Sequence, residues 1–299
     1  MLLAFTHVDS TLLVDLLVSG LVSGATYALA AAGLALIYGV MEVINMAHGE
    51  LYMAGAFVGY LGVTHLHLPY VAVLLLATVV LGAFGLVLHD GLLARLGTRG
   101  QFERGIVLTL GVSLILQNGA IAIFGPEPKT LTIPLTFKTF DVGGHLLVAT
   151  RLYAVLCALV AFALLYVVLN HTTIGRSMRG AAQNPTAALM VGLNPRRVAR
   201  LTVVLGSALA GLAGCALTYV YNVHPTVGIP VVFTAFAVII IGGLGSLAGT
   251  IVTAFGLGLV QSFVGGLVST TLQDAVSFTL MMLVLFLRPQ GLFGRGVRL

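Results

Sequence analysis

Apolar residues occur along the chain in long runs that are separated by short polar or glycine-rich segments. A transmembrane helix needs about 20 consecutive, mainly apolar residues. Several runs come close to that length and predict helices that cross a membrane. These runs are Leu12–Tyr38, Leu51–Leu66, Tyr70–Leu88, Gly105–Phe124, Leu152–Leu169, Leu201–Tyr221 and Leu272–Leu287.

One further run, Gly228–Val268, is about twice as long as a single crossing needs. The sequence GGLGS (Gly242 to Ser246) interrupts it, which predicts two segments or a broken helix. Whether this run crosses once, crosses twice or re-enters is left open. The pattern as a whole predicts an all-α, polytopic membrane protein of about eight transmembrane helices, with a broken or re-entrant segment in its C-terminal half.

Composition supports lipid as the main solvent. Hydrophobic residues make up 59% of the 299-residue chain and charged residues only 8%, whereas soluble domains carry about 25% charged residues. We therefore expect a single transmembrane domain over residues 1–299. The first apolar run lacks a basic flank and follows Asp9, so it is interpreted as a retained span and not as a signal peptide.

The basic residues predict the orientation, because short cytoplasmic loops are enriched in Lys and Arg. Most of them fall in three regions, which we place in the cytoplasm. The opposite loop contains Pro126, Pro128 and Pro134 and is predicted to be external. The N-terminus is then outside, and the loop 39–49 is inside although it contains Glu42 and no basic residue. The three basic regions contain Arg95, Arg99, Arg104; Arg176, Arg179, Arg196, Arg197, Arg200; and Arg288, Arg295, Arg298.

The second basic region is predicted to contain one short helix. Asn184-Pro185 has the residues of a helix start, with Asn at the N-cap and Pro at the first helical position. Gly192 is a predicted helix end, and Asn194-Pro195 is a second start that leads into the next span. On general grounds this helix packs on its own protein; docking on a soluble partner is the alternative.

Two segments interrupt apolar runs with small and polar residues: INMAHGE (Ile44 to Glu50) and IGGLGSLAG (Ile241 to Gly249). Irregular backbone at membrane depth is tolerated where it is buried in protein or lines a water-filled cavity. Paired interruptions in the two halves of a chain therefore point to a translocation pathway, although two ordinary loop ends explain them equally well. Candidate pathway residues are Asn45, His48, Glu50, Gln117, Gly242, Gly243, Gly245 and Ser246.

The sequence gives little support for ATP binding, metal binding, catalysis or nucleic-acid binding by this chain. The chain contains no Gly-Lys pair before Ser or Thr, which excludes a P-loop. Its histidines form no metal-ligand spacing, and Cys157 and Cys215 fall inside apolar runs. No nucleophile and base can be paired, so we expect neither catalytic nor metal-binding residues. The basic residues lie in separate short loops, which argues against nucleic acid as a partner.

Four stretches carry a resemblance to a known family. They are GLVSGATYALAAAGLALIYGVMEVINMAHGELYMAGAF (Gly20 to Phe57), GRSMRGAAQNPTAALMVGLNPRRV (Gly175 to Val198), IIIGGLGSLAGTIVTAFGLGLVQSF (Ile239 to Phe263) and LRPQGLFGR (Leu287 to Arg295). In this order they resemble the LivH-like permease subunits of ABC importers for branched-chain amino acids. The resemblance spans most of the chain.

The resemblance implies a function and a set of partners. A second permease subunit, commonly a different chain in this family, would complete the channel in the inner (cytoplasmic) membrane. Two cytoplasmic ABC ATPases would bind ATP and Mg²⁺, so this chain would bind no cofactor itself. A periplasmic binding protein would deliver Leu, Ile or Val. Related permeases carry urea, short amides or other amino acids, and a self-contained carrier or channel is a further alternative.

The resemblance also assigns a cytoplasmic coupling loop, residues 171–199, whose short helix would insert into a cleft on the ATPase. Arg176 and Arg179 would orient the loop by charge, and Ala187, Ala188 and Gly192 would permit close contact. The complete set of expected coupling residues is Gly175, Arg176, Arg179, Ala182, Asn184, Ala187, Ala188 and Gly192.

Overall fold

The computed structural model describes residues 10–96, 101–131, 139–142, 145–218, 220 and 222–294. Residues 1–9, Arg99, Pro134, Arg295 and Arg298 lie outside this part, as do the expectations attached to them. The described part is mainly α-helical, as the hydrophobic pattern predicts. Its helices are α1 (Ser10–Met41), α2 (His48–Thr64), α3 (Tyr70–Gly91), α4 (Gln101–Phe124), α5 (Ala149–His171), α6 (Thr173–Gln183), α7 (Pro185–Met190), α8 (Pro195–Leu217), α9 (Gly228–Gly242), α10 (Leu247–Leu267) and α11 (Leu272–Leu287).

Within the described residues, six helices are long and apolar enough to cross a membrane: α1, α3, α4, α5, α8 and α10. Helices α2, α9 and α11 have 17, 15 and 16 residues, and α9 is the shortest of the apolar helices. The long run Gly228–Val268 forms α9 and α10, with a sharp turn at residues 243–246. Gly243 and Gly245 have φ angles of 99° and 81° in that turn, a region that favours glycine.

Close contacts between glycines and neighbouring helices define the directions of the helices. Gly20 and Gly24 of α1 lie against Leu259 and Phe255 of α10, so these two helices are antiparallel. In the same way Gly55 meets Gly211 and Gly59 meets Cys215, which makes α2 parallel to α8. Helix α3 runs antiparallel to α8. In lipid, where apolar burial does not drive helices together, such close backbone approaches provide much of the packing.

Helix α2 begins in the middle of the bundle and not at its edge. A Cβ atom on Gly33 of α1 would lie 2.5 Å from the Gly206 carbonyl oxygen and 2.9 Å from the His48 ring. Gly206 is at the centre of α8, so the first residue of α2 lies at that depth. The first residue of α9, Gly228, is in backbone contact with Gly49. Both short helices therefore start inside the bundle, and they extend towards opposite ends.

The two ends of the bundle have different structures. One, called here the hairpin end, carries strands β1 (Thr139–Val142) and β2 (His145–Val148), which pair antiparallel. A backbone bridge between Lys129 and Val223 ties this loop to the chain that enters α9. The other, called here the basic end, carries Arg95, α6, α7 and the start of α8.

The C-terminal segment closes the basic end. Leu292 N–H donates to the Ile241 carbonyl at 2.8 Å, and Phe293 N–H donates to the Gly242 carbonyl at 3.2 Å. Gly291 has a φ angle of 78°, and a Cβ atom on this residue would lie only 2.6 Å from the Gly243 Cα atom, so glycine is needed here. The segment RPQGLFG (residues 288–294) thus stabilises the turn between α9 and α10 through backbone hydrogen bonds.

Candidate functional site

The segment between α5 and α8 at the basic end contains two helices, α6 and α7, and both are capped. The Thr172 hydroxyl accepts a hydrogen bond from Gly175 N–H at 3.2 Å, and the Asn184 amide oxygen accepts one from Ala187 N–H at 2.9 Å. Asn194 caps α8 in the same way. The short helix predicted from Asn184-Pro185 is confirmed as α7, and Gly192, with φ 81°, follows its end.

Helix α7 presents apolar side chains to the surroundings. Leu189 is 56% exposed, Met190 83% and Val191 78%, whereas Ala188 is only 6% exposed and contacts the core of its own chain. Ala187 is also exposed. The face of α7 that is free to meet another protein is therefore formed by Ala187, Leu189, Met190 and Val191, a set that will be called the α7 face.

The other expected coupling residues divide into exposed and structural positions. Arg176, Arg179, Ala182 and Asn184 are exposed. Gly175 is buried, and a Cβ atom there would collide with the Leu169 backbone. Gly175 thus allows α6 to turn tightly against the end of α5, which fixes where α7 lies.

A second group of polar residues lies inside the bundle at the start of α2. Asn45, His48 and Glu50 are all buried, at 0%, 1% and 2% exposure. The Asn45 side-chain oxygen accepts from Ala47 N–H at 3.1 Å. His48 Nε2 lies 2.8 Å from the Ala30 carbonyl oxygen; a carbonyl only accepts, so Nε2 carries the proton.

Helix α4 supplies partners to this group that the sequence analysis missed. The Thr109 hydroxyl accepts from Met46 N–H at 3.0 Å and donates to the Gly105 carbonyl at 2.7 Å. Ser113 donates to Glu50 Oε1 at 3.2 Å. Gln117, half-buried, follows on the same face of α4. The spacing of four residues between these polar side chains is a sequence signal that could have identified the face.

Three buried polar atoms of this group have no hydrogen-bond partner among the described residues: Asn45 Nδ2, His48 Nδ1 and Glu50 Oε2. Burying such an atom without a partner costs about 1–3 kcal/mol. These atoms mark the start of α2 as a polar region of the bundle interior, where unwound chain and the first residues of two helices meet.

The remaining predicted pathway residues lie elsewhere. Gly242, Gly243, Gly245 and Ser246 form the α9–α10 turn at the basic end, and the Ser246 hydroxyl caps α10 by accepting from Gly249 N–H at 3.2 Å. The structure does not bring this turn to Asn45, His48 and Glu50. The segment that meets the start of α2 is instead the first turn of α9, at Gly228 and Val232, which the sequence analysis did not select.

A cavity at the basic end does bring two of the predicted sets together. Arg179 and Ala182 from the coupling segment line it, together with Gly245 and Ser246 from the turn. Its position beside α6 places it next to the segment that carries α7. Among the described residues, no group of three or more His, Cys, Asp or Glu side chains could hold a metal ion.

Fold and site together define a multi-pass membrane protein with an exposed helical segment at its basic end. Over residues 16–285 the chain matches the model of a family described as the permease component of branched-chain amino acid transport systems. A match of this extent shows that the chain belongs to this family, and the family resemblance found in the sequence is thereby confirmed.

Individual relatives agree with this assignment. The chain is 32% identical to the high-affinity branched-chain amino acid transport system permease protein LivH of Escherichia coli K12, covering 93% of this chain and 94% of that protein. It is 30% identical to BraD of Pseudomonas aeruginosa, over 93% and 95% of the two chains. A probable LivH of Methanocaldococcus jannaschii is 27% identical over 89% of this chain and 88% of that protein.

A solved structure, PsaBC from Streptococcus pneumoniae in complex with Fab, covers 91% of both chains with 12% identity and a TM-score of 0.49. This likeness is too distant to add to the assignment. The chain is a transport permease by family, and a permease of this family works with ATPase partners in a membrane.

Proposed function

We propose that this chain is the permease subunit of an ABC importer that carries branched-chain amino acids across the cytoplasmic membrane. The observation that carries the proposal is the family match over residues 16–285, together with relatives of nearly equal length that are named for this transport. The basic end faces the cytoplasm, since Lys and Arg in short loops favour that side. The hairpin end then faces the periplasm.

The partners follow from the same proposal. Two cytoplasmic ATPases bind at the basic end and hold ATP and Mg²⁺. A second permease subunit, a different chain, completes the pathway. A periplasmic binding protein delivers the amino acid at the hairpin end. The chain itself catalyses no reaction and binds no cofactor. Its role is to alternate between outward- and inward-facing states, with ATP on another chain shifting the balance between them.

The exposed apolar residues of the α7 face support docking at this site. A soluble surface avoids a cluster of large apolar side chains unless another protein covers it. Arg176 and Arg179 lie on α6 next to this face. Exposed positive charge raises the rate of association with a partner whose surface is acidic. Movement of the ATPases would thus be passed through α7 and α6 to the ends of α5 and α8.

The test is reconstitution of the complex. The tagged chain is purified in mild detergent, the copurifying proteins are identified, and the complex is placed in liposomes with ATP inside and radiolabelled leucine plus binding protein outside. We expect an ATPase and a second permease to copurify, and uptake to require ATP. Uptake of urea or acetamide but not leucine would show that the importer carries a different substrate. Gradient-driven uptake by the chain alone, from a preparation that keeps known membrane complexes intact, would contradict it.

A further inference from the structure

The basic end contains an apolar compartment of about 430 Å³ between α1, α5, α6 and α10. This volume lies within the range of about 300–1,000 Å³ that is typical of small-molecule sites. Its walls are almost entirely aliphatic or aromatic. They include Leu36 and Val40 from α1, Phe162 and Leu165 from α5, and Leu247 and Ile251 from α10.

A second, more polar compartment of about 830 Å³ adjoins the first. The two share several lining residues, among them Gly39, Arg179 and Ala248. The polar compartment adds Glu42 and Ser246. Glu42, Arg179 and Ala248 are exposed, so the paired compartments are reached from outside the chain.

The polar compartment holds one negative and one positive side chain that do not neutralise each other. Within the described residues, neither Glu42 nor Arg179 takes part in an ion pair. Arg179 makes one side-chain hydrogen bond, to Asn170 Oδ1 at 3.3 Å, and its guanidinium group has five N–H donors. Both charged groups can therefore accept a ligand group of opposite charge.

We propose that these compartments form an exit site for the zwitterion of an aliphatic amino acid, which deepens and rests on the proposed function. Arg179 receives the α-carboxylate, a group that matches its planar fork of donors. Glu42 receives the α-ammonium group. The aliphatic side chain enters the apolar compartment and contacts Leu36, Phe162 and Ile251.

The position of the site couples occupancy to ATP-driven motion. Arg179 lies on α6, five residues before the Asn184 cap of α7, whereas Glu42 follows the end of α1. Displacement of α7 by an ATPase would separate Arg179 from Glu42 and break the paired contact with the two ends of the zwitterion. The amino acid would then leave at the basic end.

The experiment uses the reconstituted complex and a diazirine analogue of leucine. Vesicles are irradiated during ATP-driven uptake, and labelled peptides are mapped by mass spectrometry. We expect labels on the compartment walls of α1, α5 and α10, and excess leucine should remove them. In complexes that retain their ATPases, Glu42→Gln and Arg179→Gln should each reduce this labelling about fivefold, the effect of losing one partly exposed charge contact. Ala248→Leu should fill the shared wall and reduce it as well.

Matched controls carry the same substitutions outside the cavity. Glu103→Gln, Arg104→Gln and Ala122→Leu alter exposed positions on α4 and should leave the labelling unchanged. ATP-driven leucine uptake without labelling of these walls overturns the exit site and leaves the proposed function standing. Labelling that excess leucine does not displace, with a phospholipid retained there in native mass spectrometry, also overturns it. Absence of any ATP-driven uptake overturns both.

Discussion

At the scale of single residues, glycines decide how closely the helices approach. Gly55 of α2 and Gly211 of α8 are in backbone contact, and Gly214 lies against the Tyr52 carbonyl. The spacing of such glycines within one run indicates a packing face, but it does not identify the partner helix. The buried polar group at Asn45, His48 and Glu50 depends on the same contacts, because they hold α2 at the centre of the bundle.

Replacement of one of these glycines should loosen the central helix. Gly55→Ala places a methyl group against the Gly211 backbone, and overpacking of this kind costs about 1–3 kcal/mol. We expect a lower melting temperature of the detergent-purified protein. Gly119→Ala is the control, since a Cβ atom at that position on α4 meets nothing within 4 Å; equal melting temperatures for the two variants would contradict this packing role.

At the scale of elements, neighbouring residues at the short helix α7 have different roles, because some face their own chain and others are exposed. Ala188 contacts the core of its own chain, while Met190 and Val191 are the most exposed residues of the α7 face. A large charged residue at Ala188 would disturb the folding of the loop and would reveal little about docking. The exposed positions are the informative ones.

Met190→Glu should therefore strongly weaken coupling to the ATPase and leave folding intact. A charge in an apolar docking contact costs enough to lower ATP-driven uptake by at least about tenfold, whereas the amount and monodispersity of the purified chain should not change. Phe102→Glu provides the comparison, because Phe102 is 43% exposed at the basic end and a negative charge suits the first turn of α4. Wild-type uptake by Met190→Glu would exclude the α7 face from the ATPase contact.

At the scale of the whole molecule, the helix directions and the charge distribution agree on the orientation. The chain runs from one end to the other in α3, α4, α5 and α8, so Arg95 and α6 lie at the same end. Helices α2 and α9 start in the interior and extend to opposite ends. This arrangement resembles the discontinuous helices that place binding sites near the midplane in other transporters, with unwound backbone kept away from lipid.

Accessibility of introduced cysteines tests this orientation. Leu66→Cys lies between α2 and α3 at the hairpin end, and Val191→Cys lies on the α7 face; both positions are exposed. A membrane-impermeant thiol reagent added to intact spheroplasts should label the first variant, and the second only after permeabilisation. The unmodified chain is the control, since its two cysteines lie inside α5 and α8. Labelling of Val191→Cys in intact spheroplasts would reverse the assigned sides.

Local sequence determined much of this protein. Apolar runs predicted where membrane helices form because a helix that meets lipid must satisfy its own backbone and show apolar side chains, whatever its neighbours. The short helix α7 was predicted from Asn184-Pro185 and Gly192 for a similar reason, since caps act within one turn. The four family stretches predicted the class of protein, although not which residues touch.

Only the tertiary structure decided how deep each segment lies in the bundle and which segments are in contact. INMAHGE and IGGLGSLAG both interrupt apolar runs with small and polar residues, yet the first lies in the bundle centre and the second at the basic end, held there by Leu292 and Phe293. The true neighbour of Gly49 is Gly228, and that contact joins residues far apart in the chain, where no local rule applies. The face of Ala188 was likewise set by packing against α6 and α8. Periodicity specifies which residues share a helix face; which neighbour covers that face depends on how all the helices pack together.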